Sequence, residues 1–375
     1  MPSPTFPICR NGRAPAAVLA LLAGAAWTLP APARAGDGVA QAQAAVKQAE
    51  QMPRFVSPGE SFDIARLKGK HIWIITSTMA VPFVATIAHG VEAAAKVAGI
   101  ATSLFDGKGD VSEWNRGMEQ AVSEHADGIV TVGASPELMK GPTADALAAR
   151  IPVVDALTAD KTAPLVPGTF AHVTISFYHS GQLQADYAIA HSGGKAHVLI
   201  FGDNEFPGEV SRVEGMQHEF STLCPDCKVI VQDTQVGNLG VRLGRMAQTL
   251  LRRSPDVTMV LPTYDAQAIY IVPAISSADL ANPPVVVGSD AVDGNLNWIR
   301  QGNVQIADVG EPDVWCGWAA VDEIARGMLG MPPVDENIPL RLFVKGNLEG
   351  VPNDENALFG GNYAAEYRRL WGLVH

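Results

Sequence analysis

Two cysteines three residues apart, Cys224 and Cys227, could support redox chemistry, a metal site or a structural disulfide. In a redox motif such a pair begins a helix, whose dipole lowers the thiol pKa. Here the pair follows a helical stretch, residues 210–223, and precedes a strand-like one, residues 228–232. A zinc site would need a second ligand pair, and none is nearby. We therefore predict a disulfide in a helix–strand turn, provided that the chain works in an oxidising compartment.

No loop of the sequence contains a motif typical of an enzyme. Phosphate loops of the Gly-x-x-x-x-Gly-Lys-Ser/Thr type, Gly-x-Ser-x-Gly elbows and His-Glu-x-x-His pairs are all absent. The nearest polar trio, Ser289, Asp290 and Asp293, contains no histidine to act as a base. Four histidines on predicted helices lack ligand spacing to one another: His89, His125, His179 and His191. We expect no catalytic residues, metal or cofactor, and an exported enzyme of unknown type stays open as an alternative.

The elements that must position polar side chains alternate between strand and helix from Lys70 onward. Apolar runs such as residues 72–75 are typical of strands buried on both faces of a parallel sheet. The predicted strands are 72–75, 102–105, 128–132, 153–154, 172–175, 197–201, 228–231, 258–261, 285–287 and 304–309. The predicted helices are 82–98, 111–125, 136–149, 178–191, 210–223, 240–252, 266–278, 294–301 and 312–330. This pattern predicts parallel sheets, in which ligands bind at the carboxyl ends of the strands.

The first 35 residues have the pattern of a cleavable export signal. Residues 1–13 carry two arginines and no acid, residues 14–29 form an Ala/Leu-rich run, and Ala33-Arg34-Ala35 supplies a small-x-small cleavage pattern. We expect cleavage after Ala35, a periplasmic location, and an N-terminal extension over residues 36–69.

The net charge limits the choice of partners. It is −12 for the whole chain, and removal of a leader with three arginines and no acid makes it more negative. Nucleic acids and anionic membrane surfaces both require a basic patch, so the charge argues against either partner. Beyond the leader no apolar run approaches the roughly 20 residues of a membrane helix. We expect a soluble monomer.

Several segments in order resemble the sugar-type periplasmic binding proteins, such as the ribose-binding protein. Residues 74–83 have the sequence Ile-Ile-Thr-Ser-Thr-Met-Ala-Val-Pro-Phe, which is similar to the opening strand and loop of that family. The other matching segments are Gly128-Ile129-Val130, Ile151-Pro152-Val153-Val154, Arg212-Val213-Glu214-Gly215 and Val285-Val286-Val287-Gly288-Ser289-Asp290. The resemblance covers about residues 70–345.

The resemblance implies a set of ligand-binding residues. The matching positions are Ser77, Phe83, Arg212, Tyr264, Asp265 and Asp290. The guanidinium of Arg212 can pair bidentately with a carboxylate or a vicinal diol, and Trp114 is a further aromatic candidate. Trp315 and Trp318 could face either the pocket or the core. Three family positions for polar groups fall at Val81, Leu157-Thr158 and Gly310, so we expect a ligand less polar than a simple sugar.

The resemblance also implies the fold and the mechanism. The expected fold is α/β, with two doubly wound parallel-sheet lobes joined by a three-segment hinge. The N-terminal lobe would comprise residues 70–171 plus 312–339, and the C-terminal lobe residues 172–311 plus 340–375. The lobes would close on a small-molecule ligand and present it to the membrane permease of an ABC transporter. Related proteins report to a membrane histidine kinase instead, which leaves a periplasmic sensor as an alternative.

Overall fold

The computed structural model describes residues 35–374. The strands are β1 (His71–Thr76), β2 (Ala101–Asp106), β3 (Gly128–Val132), β4 (Val153–Ala156), β5 (Ala171–Val173), β6 (His197–Asp203), β7 (Lys228–Thr234), β8 (Met259–Pro262), β9 (Val285–Ser289), β10 (Gln305–Gly310) and β11 (Arg341–Val344). The predicted export signal lies outside the described residues except for Ala35.

Helices separate most of the strands. They are α1 (Ala35–Ala49), α2 (Pro82–Ala98), α3 (Val111–Ser123), α4 (Lys140–Ala148), α5 (Phe177–Ser192), α6 (Pro207–Leu223), α7 (Val241–Arg253), α8 (Asp265–Ser276), α9 (Asp293–Gln301), α10 (Asp313–Leu329), α11 (Lys345–Leu348), α12 (Glu355–Phe359) and α13 (Tyr363–Leu370). Short 3-10 helices cover Ile64–Leu67, Pro136–Leu138 and Val236–Asn238. No helix within residues 35–374 is long and apolar enough to cross a membrane.

The first sheet is parallel throughout and has the strand order β2-β1-β3-β4-β5. Its interior strand β1 is apolar from Ile72 to Ile75, as expected for a strand with helices on both faces of the sheet. Helices α2 and α10 pack together on one face, and the other face carries residues of α3 and α4 such as Met118 and Ala146. The carboxyl ends of these strands therefore share one edge of the first lobe.

The second sheet has the order β11-β10-β9-β8-β6-β7, in which only β11 runs antiparallel to its neighbour among the described strands. Residues of α1, α5 and α6 pack on one face and residues of α7 and α8 on the other. The expected α/β fold with two lobes, each built on a mainly parallel sheet, is confirmed. The three-segment hinge stays a prediction.

Two segments belong to a different lobe from the one predicted from the sequence. Strand β5 was expected to open the second sheet, but Val173 pairs with Ala156 in the first sheet. Helix α13 was assigned to the C-terminal lobe, but Tyr367 is fully buried in the apolar core that α10 shares with the first sheet. Both corrections have one physical reason, since a short strand or an amphipathic helix does not encode which of two similar apolar surfaces it joins.

The segment before the first sheet is ordered and contacts both cores. Helix α1 packs against α5 and α6, with Ala42 fully buried among residues of the second lobe. Further along, Ile64 and Leu67 are buried in the core of the first lobe. The predicted extension over residues 36–69 is therefore an integral part of the folded body.

Candidate functional site

Arg212 lies at the centre of a buried polar cluster in the second lobe. Its side chain is only 1% exposed, on the second turn of α6. Nη1 donates to the carbonyl oxygen of Thr263 and lies 3.3 Å from both Glu209 Oε2 and Asp290 Oδ1. The guanidinium also lies over the ring of Phe177, 4.9 Å from its centroid. Although burial lowers the pKa of Arg212, the carboxylates of Glu209, Asp290 and Glu311 raise it, so the group stays charged.

Asp290 is held by an unusual backbone conformation at the end of β9. Its φ is +105°, in a region that residues other than glycine seldom adopt. Contacts of the side chain hold this strained conformation in place. Asp290 Oδ2 accepts from the backbone N–H of Asp265 at 3.2 Å, and Oδ1 faces Arg212. Strained backbone of this kind concentrates at functional sites. Burial raises the pKa of Asp290 to about 6.

Tyr264 and Asp203 form a second buried pair beside Arg212. The Tyr264 hydroxyl donates to Asp203 Oδ2 at 2.8 Å, and Tyr264 is 9% exposed. Burial raises the pKa of Asp203 to about 6, and burial with the nearby carboxylate raises that of Tyr264. The hydrogen bond from the hydroxyl group to Asp203 therefore fixes the position of the Tyr264 ring. The face of the ring is then the part of the side chain that can contact a ligand.

Asp265 has a supporting role in this cluster. It is fully buried, and its Oδ2 accepts from the backbone N–H of Val292 at 2.9 Å. Through its own N–H it also holds Asp290. The contacts of Asp265 therefore connect the loops that follow β8 and β9.

The structure adds three acidic residues that the sequence analysis did not select as ligand-binding: Asp203, Glu209 and Glu311. Glu209 precedes Arg212 by one helical turn, and Glu311 directly follows β10 with Oε1 3.9 Å from Arg212 Nη2. Both are nearly buried, and burial raises the pKa of Glu209 to about 7 and that of Glu311 well above its usual range. The only signals in the sequence were the Glu-x-x-Arg spacing and an acid at the end of an apolar strand.

Ser77, Phe83 and Trp114 belong to the first lobe. Ser77 follows β1, and its backbone N–H donates to the carbonyl of Val132 at 2.8 Å. Trp114 is buried in the core, and its indole N–H donates to the carbonyl of Ser77 at 3.0 Å. Phe83 is half-buried on the first turn of α2. Trp114 therefore supports the loop at Ser77, whereas Ser77 and Phe83 retain partly accessible side chains.

The two tryptophans of α10 face the core. Trp315 is 1% exposed and stacks on Phe55 and Tyr363 with centroid distances of 5.5 and 5.2 Å. Trp318 stacks on Trp371 at 5.4 Å. The choice between pocket and core, open on sequence grounds, is settled in favour of the core.

The cysteine pair predicted from the sequence forms a disulfide. Cys224 and Cys227 are joined by a disulfide with Cα atoms 5.3 Å apart, in the turn between α6 and β7. Cys316 is a buried free thiol. Among residues 35–374 no group of His, Cys, Asp and Glu side chains is arranged to hold a metal ion.

Arg212, Tyr264, Asp265 and Asp290 thus meet in the second lobe, as expected for one site. They lie at the carboxyl ends of β8 and β9, with Asp203 and Glu311 at the ends of β6 and β10. Ligands of parallel α/β sheets bind at this edge. We call the group Asp203, Glu209, Arg212, Tyr264, Asp290 and Glu311 the arginine cluster.

Comparisons with known proteins agree with this architecture. The sequence model of a family described as a periplasmic binding protein domain matches residues 72–329. The D-apiose import binding protein of Actinobacillus succinogenes is 25% identical over 223 residues, which are 59% of this chain and 70% of that protein.

Solved structures share the fold at low sequence identity. The glucose-galactose binding protein GanP from Geobacillus stearothermophilus has 21% identity and a TM-score of 0.67, over 75% of this chain and 99% of that one. The myo-inositol binding protein of Caulobacter has 17% identity and a TM-score of 0.66, over 74% of this chain and 94% of that one.

Proposed function

The chain belongs to the periplasmic binding protein domain family, and from this premise we propose that it is the solute-binding component of an ABC importer. The observation that carries the proposal is the arginine cluster, whose polar groups converge at the carboxyl ends of four parallel strands. A receptor site of this kind needs groups that orient a small molecule and a surface that excludes water. The partners would be a small organic solute and a membrane permease.

The cluster supports binding better than catalysis. The serine beside the cluster, Ser289, is fully buried and donates to the carbonyl of Val309 at 2.8 Å. Among the described contacts Ser289 also meets Ser180 at 3.3 Å, but no histidine or lysine. A nucleophile without an adjacent base is not activated, so we propose that the protein is not an enzyme.

The two lobes offer different chemistry to a solute. The first lobe presents Ser77 together with the half-buried apolar side chains of Met79, Val81 and Phe83. The second lobe presents a guanidinium ringed by carboxylates. We propose a ligand with one apolar face, less polar than a simple sugar on that side, and with hydrogen-bonding groups on the other.

The arginine cluster also selects against anions. Arg212 already faces Glu209, Asp290 and Glu311, so its positive charge is neutralised within the protein. An anionic ligand would meet an excess of negative charge in a low-dielectric cleft, where like charges repel strongly. Carboxylate-bearing solutes are therefore the poorest candidates.

The test is a thermal-shift screen of residues 36–375 against sugars, polyols, aromatic acids, amino acids and nucleosides, followed by titration calorimetry of any hit. A ligand at 100 times its Kd adds about 2.7 kcal/mol to the free energy of unfolding, which raises Tm by several degrees. Arg212→Lys keeps the charge but loses the planar fork, and we expect it to weaken binding of the hit at least tenfold. A complete absence of shifts would contradict a receptor for these solute classes.

A further inference from the structure

The arginine cluster contains more negative than positive groups. One guanidinium serves three carboxylates, those of Glu209, Asp290 and Glu311, at N···O distances of 3.3, 3.3 and 3.9 Å. All three residues are more than nine-tenths buried. A buried charge is costly unless it is paired, and the pKa values of all three carboxyl groups are raised, so the three can be ionised together only if a further positive partner is present.

Asp203 of the cluster and the neighbouring acids Asp265 and Asp308 accept hydrogen bonds from donors that the protein supplies. Asp203 accepts from the hydroxyl of Tyr264 and the backbone N–H of Glu205. Asp265 accepts from the N–H of Val292, and Asp308 from the N–H of Ala291 and the side chain of Gln305. The carboxylates that lack sufficient partners are therefore those of Glu311, Glu209 and Asp290, which share the single guanidinium of Arg212.

Two buried atoms of the cluster have no hydrogen-bond partner among the described residues. Glu311 is 5% exposed, and its Oε2 has no donor. Arg212 is 1% exposed, and its Nε–H has no acceptor. Buried polar atoms in native proteins are almost always satisfied, so these two atoms point to a molecule that supplies a donor to one and an acceptor to the other.

We infer that the solute carries a protonated amine with a hydroxyl or carbonyl oxygen beside it, as in an amino alcohol or amino sugar. The ammonium would donate to Glu311 Oε2 and supply the missing positive charge, and the neighbouring oxygen would accept from Arg212 Nε. This inference rests on the proposed function and specifies that the solute is positively charged. A neutral polyol would satisfy the hydrogen bonds but would supply no positive charge to stabilise the ionised carboxylates.

The experiment compares ligands of similar size that differ in one functional group and therefore in charge. One set of probes is 2-aminoethanol, ethylene glycol and glycolate, and the other is glucosamine, glucose and glucuronate, each titrated by calorimetry and thermal shift at neutral pH. We expect the amine of at least one set to bind at least tenfold more tightly than its neutral counterpart, and the acid to bind least.

Two variants separate a specific ion pair from general attraction to an acidic protein. Glu311→Gln keeps the size of the side chain and removes its charge, so it should abolish the preference for the amine over its neutral counterpart. Glu214→Gln makes the same change at an exposed position of α6, and should leave the preference intact.

Each outcome decides the inference. Equal or tighter binding of the neutral probe would overturn it, as would an amine preference that survives in Glu311→Gln. If neither set binds while a neutral solute from the wider screen does, the inference fails and the receptor function stands. If no solute of any class binds, the proposed function itself fails.

Discussion

At the scale of single residues, a pair of buried carboxyl groups between α5 and α6 affects stability. Asp186 is 3% exposed and hydrogen-bonded to Glu219, which is 7% exposed. Burial, together with the charge of Glu219, raises the pKa of Asp186 to about 8. Asp186 is therefore protonated at neutral pH, and Gln182 donates a hydrogen bond to Glu219 Oε2 at 2.6 Å.

This pair predicts a pH dependence of folding. Because the folded state holds a proton on Asp186 that the unfolded chain loses near its ordinary pKa, the free energy of unfolding should fall as pH rises from about 4 to about 8. Asp186→Asn removes this contribution. The free energy of unfolding of the variant minus that of the parent protein should therefore rise by at least about 1 kcal/mol between pH 5 and pH 8.

Urea unfolding at several pH values measures the difference. Asp145→Asn, at an exposed position of α4, is the control and should run parallel to the parent. Parallel curves for Asp186→Asn as well would show that Asp186 is ionised in the folded protein.

At the scale of elements, two glycines let α5 and α6 touch backbone to backbone. A Cβ atom at Gly215 would lie 2.0 Å from the carbonyl oxygen of Tyr178, and one at Gly181 would lie 1.9 Å from that of Arg212. The packing of α5 against α6 therefore requires a glycine at position 215 of the Arg-x-x-Gly segment. The close approach fixes the turn of α6 that carries Arg212.

Gly215→Ala should accordingly disturb both stability and the site. Overpacking of this kind costs about 1–3 kcal/mol, and the displaced α6 should weaken binding of the solute as Arg212 moves. Gly141→Ala is the matched control, since Gly141 also lies within a helix but has no atom within 4 Å of its added Cβ. That control should be neutral or stabilising by up to about 1 kcal/mol. Similar chemical-denaturation midpoints for the two variants would contradict the packing argument.

The sequence predicted most elements because apolar runs and helix-ending glycines are local signals. The strand at residues 72–75 and the helix over residues 82–98 correspond closely to β1 and α2. The sheet joined by β5 was not predictable, because pairing between distant strands depends on contacts that no short segment encodes.

The candidate site was predictable where its residues match the segments that resemble the sugar-type periplasmic binding proteins. Arg212 and Asp290 were selected and do meet, whereas Glu209 and Glu311 look in sequence like acids on a solvated surface. Trp114 was selected as a ligand contact because an aromatic residue near a loop can serve either a pocket or a core. In the structure its indole lies in the core.

At the scale of the whole molecule, the N-terminal segment connects the two cores. Glu50 accepts hydrogen bonds from Arg341 and Asn347 at 3.4 Å through its carbonyl oxygen, next to α1 on the second lobe. Five residues later, Phe55 packs between Trp315 and Tyr367 in the first lobe. The segment therefore contributes to the folding of both lobes.

Phe55→Ala tests this contribution. Removing the ring should cost about 2 kcal/mol, less than the 3–5 kcal/mol of a fully buried phenylalanine because Phe55 is half-buried. The neighbouring variant Val56→Ala, at a side chain that is 57% exposed, should cost less than about 0.5 kcal/mol. Equal urea midpoints for the two variants would show that the segment lies on the body without stabilising it.

A crystal structure of the protein with the tightest ligand of the screen would show whether a small solute binds at the arginine cluster. We predict ligand atoms within hydrogen-bond distance of Arg212 and Glu311, with Phe83 or Ser77 of the first lobe on the opposite side. Two depressions at the amino ends of the strands are the competing locations, one lined by Lys70 and Arg150 and the other by Lys195 and Asp256. A ligand found in either depression, with the arginine cluster unchanged, would show that the arginine cluster is not the binding site.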